Sequence, residues 1–62
     1  MWVGQRAVRV FDGERFGGMI TASWTGEGED SPSKWHMLHD DGDEEYLSLK
    51  ETRAAVLRHG AQ

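Results

Sequence analysis

Two Asp-Gly pairs, each lying next to a β-prone segment, constrain the fold of this chain more than any other feature. One pair is Asp12-Gly13 and the other is Asp41-Gly42, and the segments before them alternate between apolar and polar residues. Such a period of two is typical of a half-buried strand, and Asp-Gly favours a hairpin because glycine adopts a positive φ without strain. The sequence therefore predicts an all-β, antiparallel protein.

The predicted strands cover residues 5–12, 16–24, 34–40 and 44–49. Residues 25–33 hold two glycines and the only proline, which predicts an exposed loop. Gly17 and Gly18 weaken the interior of the second strand, so we expect a bulge or a sharp bend at this position.

The alternation also assigns side chains to the two faces of the sheet. With Val8 and Val10 pointing into the core, Phe11 has the opposite phase and faces outward beside the first turn. Trp24 and Trp35 are both expected to pack in the core, because tryptophan buries a large apolar surface.

The segment after the fourth strand fits two structures. Ser48 and Glu51 form a capping-box pattern, and the residues that follow favour one short helix over residues 50–59. Closure of a small barrel instead requires one turn at 50–52 and a short last strand at 55–58. We expect a helical turn first, and the sequence leaves the structure of 55–58 open.

The chain has 62 residues and is expected to form one domain, residues 1–62, whether complete or cut from a larger protein. A domain of this size buries only about 60% of its unfolded surface, so a sheet closed into a barrel is the expected way to hide its edges. Without cysteine there is neither a disulfide nor a thiolate zinc site, and the three histidines match no zinc spacing. We therefore predict no metal and no cofactor.

The charge pattern favours a positively charged partner. The net charge is −4, and the acidic residues are concentrated in residues 27–30 and 40–45. Nucleic-acid affinity depends on lysine and arginine at the phosphates, so an acidic domain is a better match to a basic peptide. No nucleophile lies in a catalytic arrangement and no glycine-rich phosphate loop is present, which predicts a protein that is not an enzyme.

Several segments, taken in order, resemble the Tudor-like domains of plant and algal chromatin and cohesion proteins. The matching segments are residues 3–4 (VG), 8–13 (VRVFDG), 16–20 (FGGMI) and 39–43 (HDDGD), followed by Glu45, Leu47, Leu49 and Glu51. The resemblance covers nearly the whole chain up to about Glu51. It implies an SH3-like barrel of about five strands.

Members of this family that read histone tails surround a methylated lysine with aromatic side chains and nearby acids. Carried over by position, the resemblance places the aromatic wall at Phe11, Phe16 and His39. It places the complementary acids at Asp41, Asp43 and Glu45. Phenylalanine stands where strong readers usually carry tryptophan or tyrosine. The resemblance thus implies a nuclear module that binds a basic peptide, such as a histone tail with a methylated lysine.

Two other functions compete with this prediction. The first is a structural barrel that packs on another domain or on a second copy of itself, with Phe11 and Phe16 covered by protein. The second, ranked lower because of the net charge, is a nucleic-acid-binding module with a basic face opposite the acidic turn. The arginines available for such a face are Arg6, Arg9, Arg15, Arg53 and Arg58.

Overall fold

The structure, a computed structural model, describes residues 2–60 as one antiparallel sheet followed by a helix. The strands are β1 (Arg6–Phe11), β2 (Glu14–Trp24), β3 (Lys34–His39) and β4 (Glu44–Ser48), and the helix is α1 (Leu49–Gly60). The strands pair in the order β1-β2-β3-β4 and curl into a half-barrel, which agrees with a small SH3-like barrel. The predicted all-β fold class is confirmed, with four strands in the described part of the chain.

The first hairpin confirms the turn predicted at Asp12-Gly13. Both residues have a positive φ, 51° for Asp12 and 81° for Gly13, and the strands close on the pair Phe11 and Glu14. A two-residue loop with two positive φ angles matches the right-handed twist of the strands that it joins. This turn brings the end of β1 and the start of β2 together at one end of the sheet.

The second hairpin differs from the predicted two-residue turn at Asp41-Gly42. The N–H of His39 donates to the carbonyl of Asp43 at 2.7 Å, so residues 40–42 form a three-residue loop in which Gly42 has φ 97°. The extra loop residue is Asp40, whose N–H donates to the carbonyl of Gly17 on β2 at 2.9 Å. Asp40 is therefore held by β2, and the turn is completed by the residues after it.

We predicted a bulge or sharp bend in β2 at Gly17 and Gly18, but the irregularity lies further along the strand. Gly17 and Gly18 pair in regular register with β1, whereas the register with β3 shifts between Ile20 and Ala22. Gly18 is required for a different reason, since a Cβ there would lie 2.5 Å from the carbonyl oxygen of Leu38. A glycine in a strand thus marks a close approach of two backbones.

One face of the sheet, here called the inner face, carries the core. Its buried cluster contains Ala7, Ile20, Trp35, Met37 and Leu47, together with Ala55 from α1. The expectation that Val8 and Val10 both point into the core is confirmed for Val8, which is only 4% exposed although it lies outside this cluster, and is wrong for Val10.

The residue of β1 in the inner-face cluster is Ala7, which is followed at every second position by Arg9 and Phe11. Phe11 therefore lies in the inner phase, but at the end of the strand where 44% of its surface stays exposed. Val10, in the other phase, is 41% exposed.

The C-terminal segment forms a helix, so the alternative of a last strand at 55–58 is wrong. The capping box is confirmed: Ser48 N–H donates to Glu51 Oε1 at 2.9 Å, and Glu51 N–H donates to Ser48 Oγ at 3.3 Å. These bonds satisfy backbone donors that the first helical turn leaves without partners. No helix among residues 2–60 is long and apolar enough to cross a membrane.

Helix α1 contacts both edge strands of the sheet, β1 and β4, and so occupies the place of a fifth strand. Arg58 donates to the carbonyl of Val8 at 2.8 Å, which satisfies a backbone acceptor of β1. Thr52 and Ala55 are fully buried against the sheet. The helix thus completes the barrel on one side, and its position decides which part of the inner face is covered.

Candidate functional site

A pocket of about 260 Å³ opens at the end of the inner face where both hairpin turns meet. Its lining residues are Phe11, Phe16, His39, Asp41, Asp43, Glu44 and Glu45. All six residues that the resemblance implied, three ring-bearing and three acidic, line this one pocket, and Glu44 joins them.

Two phenylalanine rings form the apolar wall of the pocket. Phe11 ends β1 and Phe16 lies near the start of β2, so the first hairpin places them side by side. Their ring centroids are 5.7 Å apart and the planes are tilted by 52°. The two rings contact each other in the tilted arrangement that aromatic pairs prefer and present an angled apolar surface to the opening.

His39 and Glu45 form the least exposed polar pair of the pocket. The Nε2 of His39 donates to Glu45 Oε2 at 2.7 Å, and the two side chains are 6% and 23% exposed. They lie on β3 and β4 in the inner phase, as the alternation of both strands requires. His39 is therefore a wall that is held in place by a carboxylate.

Arg9 also reaches Glu45, from the opposite edge of the sheet. Its Nε donates to the same Oε2 atom at 3.3 Å, and its guanidinium carbon lies 5.2 Å from the centroid of the Phe11 ring. The alternation placed Arg9 on the face of Phe11, but no sequence signal linked it to Glu45, because that contact joins strands at the two edges of the sheet.

The acidic hairpin divides into residues with internal partners and residues without them. Asp40 forms a two-pronged ion pair with Arg6, with nitrogen–oxygen distances of 2.9 and 2.6 Å. The hydrogen bonds from Arg6 lower the pKa of Asp40 below its usual value, and the same bonds raise the pKa of Arg6. Asp40 thus ties the second turn to β1.

Two hairpin acids that line the pocket have no cationic partner within residues 2–60. Asp41 accepts the backbone N–H of Asp43 at 3.0 Å, which shapes the turn, and both side chains are exposed. Glu44 lies 2.8 Å from His36 on the outer face. The negative charge available to an incoming group is therefore concentrated at Asp41 and Asp43.

The outer face, opposite the core, carries a second aromatic group. Trp24 and Tyr46 are 44% and 61% exposed, their centroids lie 5.8 Å apart, and the Lys34 ammonium lies 5.1 and 5.2 Å from the two rings. The expectation of a core position is confirmed for Trp35, which is fully buried, and is wrong for Trp24.

The register shift in β2 explains this difference. Uninterrupted alternation would place Trp24 on the same face as Ile20, because the two positions are an even number of residues apart. The irregularity between Ile20 and Ala22 moves the pairing by one residue, so that Trp24 pairs with Lys34 on the outer face.

Within residues 2–60 no group of three or more histidine or acidic side chains is arranged to hold a metal ion. The pocket offers a carboxylate–imidazole pair, two phenylalanine rings and exposed carboxylates, a set suited to binding a cation with apolar substituents. No family model, curated protein or solved structure matches this chain.

Proposed function

We propose that the protein is a non-catalytic binding module that receives the alkylated ammonium group of a methylated lysine in the pocket at the open end of the sheet. The single observation that supports this most strongly is the meeting of Phe11 and Phe16 around one opening with Asp41 and Asp43, two acids that have no cationic partner among residues 2–60. The peptide around that lysine is basic, as in a histone tail, and the module acts in the nucleus.

The apolar wall supports a methylated rather than a small, strongly hydrated ligand. A cation within about 6 Å of a ring centroid is attracted by the electrons of the ring face, and methyl groups add apolar contact while weakening hydration. Phenylalanine attracts a cation less strongly than tryptophan does. Acids at the opening are therefore an important part of the attraction in this pocket.

The size of the pocket supports a side chain as the ligand. Pockets for drug-sized molecules enclose about 300–1,000 Å³. The volume here, about 260 Å³, lies just below that range. It suits one long side chain, with the rest of the peptide lying across the acidic hairpin.

The charge distribution supports a basic peptide over nucleic acid. Three of the arginines available for a basic face already have internal partners: Arg6 binds Asp40, Arg9 binds Glu45, and Arg58 binds a backbone carbonyl. An electrostatic footprint for phosphates requires such side chains to face outward.

A structural barrel is the second candidate, and the outer face is the observation that favours it. Large apolar side chains are exposed there, and they include Met19, Trp24, Leu38 and Tyr46. Clustered exposed apolar residues are typical of contact surfaces between proteins. On this alternative the outer face mediates the function, and the pocket is vestigial.

Isothermal titration calorimetry with one synthetic histone-tail peptide, unmodified and trimethylated at a single lysine, tests the proposal. The wild type is expected to bind the trimethylated form more tightly, and Phe11→Ala to weaken this binding about 3- to 30-fold, the range of one cation–π contact. Tyr46→Ala is the matched control, because it removes an exposed ring from the outer face. An affinity for the trimethylated peptide that is unchanged in both Phe11→Ala and Phe16→Ala, or that is lost in Tyr46→Ala, would contradict the proposed site.

A further inference from the structure

Arg9 contacts the wall of the pocket without lining its cavity. Its guanidinium lies over Phe11 and beside Glu45, two residues that do line the cavity, and its side chain is only 19% exposed. The protein therefore already holds one cation of its own against the groups that an external cation would approach.

Glu45 is the acid most affected by this internal cation. A single atom, Oε2, accepts from His39 at 2.7 Å and from Arg9 at 3.3 Å. The Glu45 side chain is 23% exposed, compared with 64% for Glu44, while Asp41 and Asp43 lie in the exposed turn. The most buried carboxylate of the pocket is thus the one whose charge is balanced from within.

Helix α1 keeps Arg9 in this position. The Nη2 of Arg9 lies 3.4 Å from Glu51 Oε2, while the other oxygen of Glu51 accepts the N–H of Ser48 at 2.9 Å. Glu51 is thereby fixed by the helix cap and offers a stationary partner to the guanidinium. Two carboxylates, one on β4 and one on α1, hold Arg9 between them.

We infer that Arg9 is a positioning residue that sets the preference of the pocket for an alkylated over a free ammonium group, an inference that rests on the proposed function. A free lysine ammonium has three N–H donors, which need acceptors when they leave water, whereas a trimethylated one has none. Because Oε2 of Glu45 already accepts from Arg9 and His39, the charge of the most buried acid is balanced from within, and a free ammonium gains less from it. A trimethylammonium group has no N–H donor to satisfy, so contact with the two rings and attraction to the exposed acids of the hairpin are sufficient.

The test is the ratio of affinities for the same histone-tail peptide in its trimethylated and unmodified forms. Arg9→Met keeps an unbranched side chain and releases Glu45, so the ratio is expected to fall about two- to fivefold, the range of one partly exposed ion pair. Arg9→Lys retains the charge and is expected to keep most of the preference. Arg53→Met is the control, because it changes the net charge equally at an exposed position on α1.

A double variant distinguishes a specific effect of Arg9 on Glu45 from a general loss of structure. In Glu45→Gln the carboxylate is absent, so adding Arg9→Met is expected to leave the ratio unchanged. A wild type that prefers the trimethylated peptide and an Arg9→Met variant with the same ratio would overturn this inference alone. If the folded wild type binds neither peptide at millimolar concentration, the proposed function fails, and the inference fails with it.

Discussion

The two ends of the inner face are built from the same strands in the same phase, yet one is core and the other is a pocket. At the closed end Trp35, Met37 and Leu47 are almost completely buried, whereas at the open end Phe11 is 44% exposed. Helix α1 covers the closed end, since it runs along β1 from the Glu51–Arg9 contact to a groove that its last residues share with Arg6. Trp2 also covers this end, because its ring packs on Trp35 with the centroids 5.2 Å apart. Alternation favours one face for each residue, and the groups that cover the inner face, α1 and Trp2, decide whether that position becomes core or site.

The largest expected difference between the two ends is in stability. Trp35→Ala removes a fully buried ring and is expected to cost about 3–5 kcal/mol. That is most of the roughly 3–9 kcal/mol expected for a domain of this size, so the variant should be largely unfolded. Phe11→Ala at the open end should cost clearly less, because this ring is already 44% exposed in the folded protein. Urea denaturation followed by circular dichroism measures both, and equal losses would contradict the division into closed and open ends.

Two neighbouring glycines, Gly17 and Gly18, lie at the boundary between the closed and the open end, and adding a methyl group at each is expected to have different effects on stability. Gly18→Ala places a Cβ 2.5 Å from the Leu38 carbonyl oxygen and 2.9 Å from His39 Cα, so the backbone of β3 must move, at about 1–3 kcal/mol. At Gly17 the nearest atoms belong to the flexible side chains of Asp40 and Arg6. Gly17→Ala is the matched control and should cost clearly less in thermal denaturation. Equal costs would show that β2 and β3 are not in close contact here.

A substitution at the helix cap tests whether α1 is stabilised by its own capping hydrogen bonds as well as by packing on the core. Ser48→Ala removes the hydroxyl that accepts the Glu51 N–H and is expected to cost about 1 kcal/mol. In a domain this small that corresponds to a fall of about 4–8 °C in Tm. Ser31→Ala in the exposed loop is the control and should leave Tm unchanged. A capping variant as stable as the control would mean that packing alone holds the helix.

The smallest expected effect is the pH dependence of the Arg6–Asp40 pair. The hydrogen bonds from Arg6 lower the pKa of Asp40 in the folded state, so the pair stabilises the protein above the usual carboxyl value of 3.8. This stabilisation is lost as the pH falls through the lower, folded-state value. Asp40→Asn should therefore be less stable than the wild type near neutral pH and equally stable in strong acid.

Asp30→Asn, in the exposed loop, controls for the lost charge in the same urea titrations. Because the Arg6–Asp40 pair is exposed, the free energies of unfolding of Asp40→Asn and Asp30→Asn should differ only slightly. If this difference in the free energy of unfolding grows as the pH falls, the Arg6–Asp40 pair is not the source of the stabilisation.

Much of the fold follows from local signals, because turns and caps depend on neighbouring residues. Asp12-Gly13 and the Ser48–Glu51 capping box are examples, and both form as predicted. Trp24 could not be placed in the same way, because the register shift that turns it outward arises from pairing with β3. Alternation in the sequence gives no sign of one extra residue in a long strand.

The candidate site shows the same limit. The family resemblance implied Phe11, Phe16, His39 and the hairpin acids, and the two turns bring them around one opening. The contact of Arg9 with Glu45 joins the two edges of the sheet and depends on how strongly the sheet curls. A pattern of polar and apolar residues contains no information about that curvature.

The most direct test of peptide binding at the open end of the sheet is an NMR titration of the folded domain with the trimethylated and the unmodified peptide. We expect saturable shifts at Phe11, Phe16, His39 and the hairpin at 41–45, with tighter saturation for the trimethylated form. The outer-face rings of Trp24 and Tyr46 should stay unshifted. Shifts confined to the outer face, or none at millimolar peptide, would show that the open end of the sheet is not the binding site.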